Sequence, residues 1–328
     1  MSKKILIVGC GQLGSRHLQA VASLAEVAEI HIIDESAAAL DLGRQRIGEI
    51  TDANPRIKLF WQQGFNQAAA NGDLCIVATQ APGRYDLIKK IAVELGYRKF
   101  LIEKVVAQSI AEYLDLLKFS EQHRLSIWVN CKTRAYEVHR YIKSKLDPND
   151  PIIFSDLGGN HGLGNNGVHA VDLFAYYDGA QKIIITGSRV DQALHPSKRG
   201  KDVFDLSGTL YGRTNKGSDF ILSFAGSHVS PDQISILTPK GRFIVDHFQK
   251  FAFESSPETN WAWKNIPINE NWSVSFMSKA FVSDILRKGD CELPTLQDCF
   301  PAHEFILGQL VPHFNRLLGT NNDYCPIT

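Results

Sequence analysis

Short apolar runs rich in β-branched residues recur along the first 130 residues: KILIV at 4–8, AEIHIID at 28–34, IKLFW at 57–61, DLCIVAT at 73–79, KFLIE at 99–103 and SIWVN at 126–130. Amphipathic stretches separate them, among them Leu13–Leu24, Pro82–Leu95 and Ser109–His123. Alternating strand and helix signals predict a parallel sheet with helices on both faces. The runs hold few polar residues, as strands buried on both sides require. Beyond residue 130 the pattern changes. Tyr136–Leu146 reads as a helix ended by Asp147-Pro148, IIFSDLGG as a strand, and Asn166–Tyr177 as a helix stopped by Gly179. Residues 181–266 are mostly extended, with turns at Thr214-Asn215-Lys216-Gly217 and Pro239-Lys240-Gly241, which predicts a largely antiparallel sheet. Amphipathic helices over 273–288 and 297–318 close the chain. The fold class is α/β, in two domains spanning 1–130 and 131–328; 328 residues exceed the usual size of one compact core.

Composition narrows the function classes. The 35 basic residues balance 35 acidic ones, which argues against a general nucleic-acid or anionic-membrane binder and leaves room for a local basic pocket. The six cysteines form no C-x-x-C pair and no zinc spacing. They read as reduced thiols of a cytoplasmic protein, with no metal site expected. The stretch ILIV is too short for a signal-peptide core, and no apolar segment approaches the length of a membrane span.

The first run leads directly into Gly9, Gly11 and Gly14, spaced G-x-G-x-x-G, and Asp34 follows Gly14 by 20 residues at the end of the second run. In a strand–turn–helix unit the first glycine permits the tight turn, the second admits a pyrophosphate to the backbone, and the third lets helix and strand pack closely. Amides of the first helical turn then face the phosphates. A carboxylate at Asp34 accepts from ribose hydroxyls and repels a 2′-phosphate. Glu35-Ser36-Ala37 supply no cation to offset that repulsion, so NAD is expected over NADP.

Taken in order, the glycine motif, the run CIVATQAP, the pair Glu103-Lys104 and the later Gly167-Val168-His169-Ala170-Val171-Asp172 resemble the Gfo/Idh/MocA oxidoreductases over nearly the whole chain. The resemblance implies an N-terminal Rossmann dinucleotide-binding domain, followed by an α/β domain with a large, mostly antiparallel open sheet. It implies a homo-oligomer, dimer or tetramer, assembled through that sheet. The implied activity is NAD(P)-dependent hydride transfer at an oxygen-bearing carbon of a sugar, polyol or sugar nucleotide. Gly9, Gly11, Gln12, Leu13, Gly14, Asp34, Thr79, Glu103 and Lys104 are then cofactor residues. Lys104 and His169 are the catalytic pair: an ammonium stabilises alkoxide charge, and an imidazole titrates near neutrality and takes the hydroxyl proton.

Three positions depart from the family's pattern. Val105 follows Glu-Lys where the family has proline, Arg84 replaces its usual histidine, and Asn165 replaces an aspartate four residues before His169. An amide orients substrate but takes up no proton, which moves proton transfer onto His169. Arg84 is a candidate for an anionic group, and Asn130, Lys132, Arg134, Asn160, His161, Asn165 and Asp172 for the substrate cleft, with capping or packing the competing role of Asp172. Trp261, Trp263 and Trp272 are packing residues before they are stacking platforms. Tyr141 and Lys145 match Y-x-x-x-K by chance, because they lie outside the first domain on a helix that ends at Asp147. Two alternatives stay open: an NAD-binding sensor or scaffold without turnover, and a reductase of C=N or non-sugar carbonyl substrates.

Overall fold

The computed structural model describes residues 2–159 and 162–328. Two compact units divide the chain. The first comprises Met1–Ala107, Ala111–Asn130 and Asn271–Gln297; the second comprises Gln108–Ile110, Cys131–Glu270 and Asp298–Thr328.

In the first unit the elements run β1 (Lys3–Val8), α1 (Gly14–Ala22), β2 (Val27–Ile33), α2 (Ala37–Gly48), β3 (Lys58–Gln62), β4 (Leu74–Val77), α3 (Arg84–Glu94), β5 (Lys99–Ile102), α4 (Ile110–Gln122) and β6 (Ser126–Val129). All six strands are parallel, in the order β3-β2-β1-β4-β5-β6. The order reverses between β1 and β4, and open sheets of this kind bind ligands beyond the strand C-termini at such a reversal. The central strands carry the core: Ile5, Leu6, Ile7, Leu74, Cys75 and Ile76 are at most 1% exposed. Each large aliphatic side chain among them contributes about 1.5–3 kcal/mol on burial.

The second unit continues with α5 (Glu137–Lys145), β7 (Ile153–Gly158), α6 (Gly167–Asp178), β8 (Ile184–Val190), the short pair β9 (His195–Pro196) and β10 (Phe204–Asp205), β11 (Gly208–Arg213), β12 (Asp219–Phe224), β13 (Gln233–Thr238), β14 (Gly241–Asp246), β15 (Phe251–Ser255) and β16 (Lys264–Ile266). Its eight-stranded sheet has the order β16-β15-β14-β13-β7-β12-β11-β8. Every neighbouring pair is antiparallel except β7 with β12. Strand alternation turns Phe154 and Phe220 toward the helices, where they meet Phe174 and Tyr177 of α6 and Phe305 of α8 (Leu296–Leu318). The other face exposes Ile153, Leu157, Ile184, Tyr211 and Leu237.

The helix α7 (Val274–Lys288) departs from the expected division at residue 130. It belongs to the first unit and packs on α1, with Ser278 Oγ 2.9 Å from His17 Nδ1 and Arg287 paired with Glu26 at 2.9 Å. Its amphipathic period announces a helix that buries Met277, Phe281 and Ile285. The period does not say which core receives them. No helix among the described residues is long and apolar enough to cross a membrane.

Candidate functional site

At the β1/β4 reversal the glycines make a tight turn that brings α1 close against β1. Gly9 has φ +87°, a left-handed value that disfavours a side chain, and a Cβ there would lie 2.8 Å from the Ala78 carbonyl carbon. A Cβ on Gly14 would fall 1.8 Å from the Gly9 oxygen, so only glycine lets α1 start this close to β1. A Cβ on Gly11 would meet nothing within 4 Å, which leaves its side of the turn open. The Thr79 hydroxyl, just past β4, is buried and meets no hydrogen-bonding partner among the described residues. An open backbone turn with an orphaned hydroxyl beside it fits a dinucleotide's phosphate and ribose oxygens. Asp34 accepts the amides of Cys10 and Ser36 at 2.7 and 2.9 Å, which orients its carboxylate at the end of β2. Burial, and then the Asp34 charge, push the Cys10 thiol up to about 12.

Arg46 had no sequence signal, being one cation on a surface-like helix. It is buried, and it donates to the Gln12 carbonyl at 2.7 Å and to Ser15 Oγ at 2.5 Å, and also to the Gln12 side-chain oxygen. It therefore clamps the glycine turn from α2.

The second cluster of this unit surrounds Glu103 and Lys104, beyond the end of β5. Glu103 Oε1 accepts from His17 Nε2 at 2.9 Å and from Asn130 Nδ2 at 2.6 Å. Burial alone would raise this carboxyl. The hydrogen bond and charge of His17, the Asn130 amide and the Lys104 ammonium outweigh burial and hold it at about 2. Lys104 is 8% exposed, and its peptide bond to Val105 is cis. Arg84 donates to the Glu103 carbonyl at 2.7 Å and to the carbonyls of Val105 and Thr79. Arg84, a candidate for an anionic group, meets backbone carbonyls in the folded chain. The guanidinium is 1% exposed and is engaged with the backbone on either side of Lys104. Asn130 likewise directs its amide at Glu103. His17 and Ser278 escaped the sequence reading, although His17 sits three residues after Gly14 on the same helix.

His169 lies in the first turn of α6 and lines a cavity of about 560 Å³ inside the second unit. That volume lies within the roughly 300–1,000 Å³ usual for ligand pockets. Thr133, Asp156, Asn166, Ser230, Asp232 and His247 supply its polar lining, and Leu173, Phe224, Val229 and Phe248 much of its apolar lining. Behind it, His247 Nε2 lies 2.6 Å from His139 Nε2, and His139 Nδ1 lies 2.6 Å from the Tyr177 hydroxyl. Burial lowers both histidines, as two imidazole nitrogens sharing one proton require.

The remaining candidates are dispersed. Arg134 grips Asp172 at 2.8 and 2.5 Å. Burial opposes the Arg134 charge, but the Asp172 carboxylate outweighs it and pushes the guanidinium up, so the two form an ion pair that ties α6 to the segment after β6. Cys131, Asp172 and Cys299 place their ligand atoms within 4.8 Å of one another, a convergence invisible in the cysteine spacing; there the Arg134 guanidinium already occupies the carboxylate. Asn165 accepts the Thr328 amide at 3.0 Å. Lys132 donates to the Tyr136 hydroxyl at 2.8 Å. Asn160 and His161 lie outside the described residues. Trp261 and Trp263 are exposed beneath Arg242, and Trp272 is half-buried. Tyr141 gives its hydroxyl to Glu254 at 2.9 Å.

No family model and no curated protein matches the sequence. Solved structures are similar over nearly the full length. A UDP-N-acetylglucosamine 3-dehydrogenase from Acidithiobacillus ferrooxidans is 14% identical, with a TM-score of 0.71 over 98% of this chain and 97% of that one. An oxidoreductase from Agrobacterium radiobacter, in complex with NAD+, L-tartaric acid and magnesium, is 14% identical, with a TM-score of 0.72 over 93% of this chain and 94% of that one. A variant of a 3-ketoreductase from Actinomadura kijaniata, in complex with TDP-benzene and NADP, is 14% identical, with a TM-score of 0.69 over 93% of this chain and 96% of that one. At this identity the likeness is one of architecture: the chain has the fold of these oxidoreductases, a Rossmann-type parallel sheet with helices followed by a mostly antiparallel eight-stranded sheet.

Proposed function

We propose that this protein is an NAD(P)-dependent oxidoreductase of the Gfo/Idh/MocA type. It moves hydride between nicotinamide and an oxygen-bearing carbon of a sugar, polyol or sugar nucleotide. The observation that carries the reading is the glycine turn at the β1/β4 reversal, open at Gly11 and bordered by the orphaned Thr79 hydroxyl. Names borne by similar folds support the substrate class: one of those proteins is a sugar-nucleotide dehydrogenase and another a 3-ketoreductase.

Gly9, Gly11, Gln12, Leu13 and Gly14 hold the pyrophosphate, Asp34 the adenosine ribose, and Thr79, Glu103 and Lys104 the nicotinamide side. The bound nicotinamide supplies a hydride acceptor or donor. In the oxidising direction, Lys104 polarises the substrate oxygen and stabilises its developing negative charge. His169 takes the hydroxyl proton on its ring nitrogen and returns it in the reverse direction. Glu103, locked by His17 and Asn130, fixes the chain immediately before Lys104, and Arg84 fixes it on both sides. The carboxylate of Asp34 favours NAD over NADP. The exposed face of the second unit, with Ile153, Leu157, Tyr211 and Leu237, suits a second copy of the chain; sedimentation velocity checks the homo-oligomer.

The test is NADH formation or consumption with a panel of sugars, polyols and sugar nucleotides, comparing wild type with Lys104→Ala, His169→Ala and the double variant. If both residues serve one proton transfer, the double variant loses little more than the worse single one. Tight NAD binding without turnover across the panel would replace this reading with that of a sensor.

A further inference from the structure

Within the second unit the helix-facing positions of the sheet are apolar almost without exception. Phe154 on β7, Phe220 and Leu222 on β12, and Ile234 and Ile236 on β13 are each at most 2% exposed. Asp156 interrupts them. It pairs across the sheet with Leu222 on one side and Ile234 on the other, on the same face of β7 as Phe154. It is 4% exposed, lines the cavity that holds His169, and its Oδ1 meets no hydrogen-bonding partner among the described residues. An unpartnered carboxyl oxygen inside a core costs about 1–3 kcal/mol, so its retention calls for a ligand.

We propose that Asp156, with Asp232 beside it in the same cavity, recognises a protonated amino group on the carbohydrate substrate. This rests on the carbohydrate reading above and narrows it to amino sugars.

The charges around the cavity favour a cation. Asp156 and Asp232 line it, and Asp246 and Glu270 act on His247 at its wall. Lys132 is the cation that acts on His247, and its Nζ donates to the Tyr136 hydroxyl. No arginine or lysine lines the cavity among the described residues. A sugar hydroxyl would give Oδ1 one neutral hydrogen bond and leave two carboxyls facing each other. An ammonium offers three donors and a positive charge, and so answers both carboxyls. Phe248 and Val229, 74% and 82% exposed, give the cavity an apolar rim against which the C–H face of a sugar ring can rest. Burial, and then the Asp232 charge, push Asp156 well above the usual carboxylate range, which favours its protonated form in the empty cavity. A bound ammonium favours the ionised carboxylate, and the proton it displaces leaves to solvent.

Isothermal titration of the full-length protein at pH 7, in two buffers of different ionisation heat, tests the proposal without any redox readout. The probes are glucosamine, glucose and N-acetylglucosamine. Wild type is expected to bind glucosamine about ten- to a hundredfold more tightly than the other two, with net proton release. Asp156→Asn is expected to level the three affinities and abolish the release. Asp232→Asn, at a half-buried and less demanding position, is expected to lower the preference severalfold and serves if Asp156→Asn does not fold. Equal affinities in wild type, a preference that survives in both variants, or a glucosamine dissociation constant above roughly 10 mM overturns the proposal. Selective amine binding with no NADH formation from any amino sugar upholds it and removes the oxidoreductase reading. Turnover of neutral sugars with amino sugars inert does the reverse.

Discussion

Glu103 and Asp156 are carboxyls buried to the same degree, both 4% exposed, one in each unit, yet their acidities shift in opposite directions. Burial pushes both up. Glu103 receives hydrogen bonds from His17 and Asn130 and the nearby charge of Lys104, and its carboxyl falls to about 2. Asp156 receives no hydrogen bond among the described residues and faces another acid, Asp232. Depth therefore does not set the charge of a buried acid; the donors the fold brings to it do. A satisfied carboxylate holds its neighbours still, and an orphaned one is poised for something from outside.

The largest expected effect follows from what the Glu103 network holds. Lys104→Ala should lower kcat by about 10²- to 10⁴-fold with little change in NAD affinity, measured by steady-state kinetics and fluorescence titration. Preserved kcat would leave the network with a purely structural role.

Next comes Glu103→Leu, which strands the His17 and Asn130 donors. It should destabilise the fold by about 3–5 kcal/mol in chemical denaturation, and Glu103→Gln, which keeps one acceptor, by less. In wild type the Glu103 contribution has a defined pH window. Its folded value, about 2, lies below the ordinary value of 4.5, so the unfolded chain binds the extra proton and stability falls as pH drops from 4.5 toward 2. The loss amounts to about 3 kcal/mol.

Asp156 should behave with the opposite sign. Above the ordinary value of 3.8 the folded chain holds its proton more tightly than the unfolded chain, so its contribution falls as pH rises. Asp156→Leu should therefore stabilise the protein by about 1–2 kcal/mol at pH 7 and flatten the decline that sets in above the ordinary carboxyl value of 3.8. A loss of stability would mean that the carboxyl has a partner in the folded protein, and the contrast with Glu103 would collapse.

The smallest effect belongs to Asp34, whose carboxylate is held by backbone amides and which the proposed function sets against the adenosine ribose. Asp34→Ala should shift the ratio of NAD to NADP affinity by about tenfold toward NADP. An unchanged ratio would show that Asp34 does not choose the cofactor.

The hydrophobic period of this chain was sufficient for the alternating first unit, the strand-rich second unit and the two closing helices. Burial of one face imposes the period directly, and each element writes it locally. The glycine turn was equally legible, since Gly9, Gly11 and Gly14 answer constraints contained within 6 residues. IIFSDLGG was legible as a strand, but each of its faces carries two apolar residues and one polar one, and only the neighbours on β12 and β13 make the face of Asp156 the core face. Only the tertiary structure decided that α7 caps the first unit, that Arg46 clamps the glycine turn, that Arg84 serves the backbone around Lys104, and that Glu103 is saturated where Asp156 is not. Each of these depends on a partner far away in sequence, up to 261 residues for His17 and Ser278, and a hydrogen bond leaves no periodic trace in the order of residues.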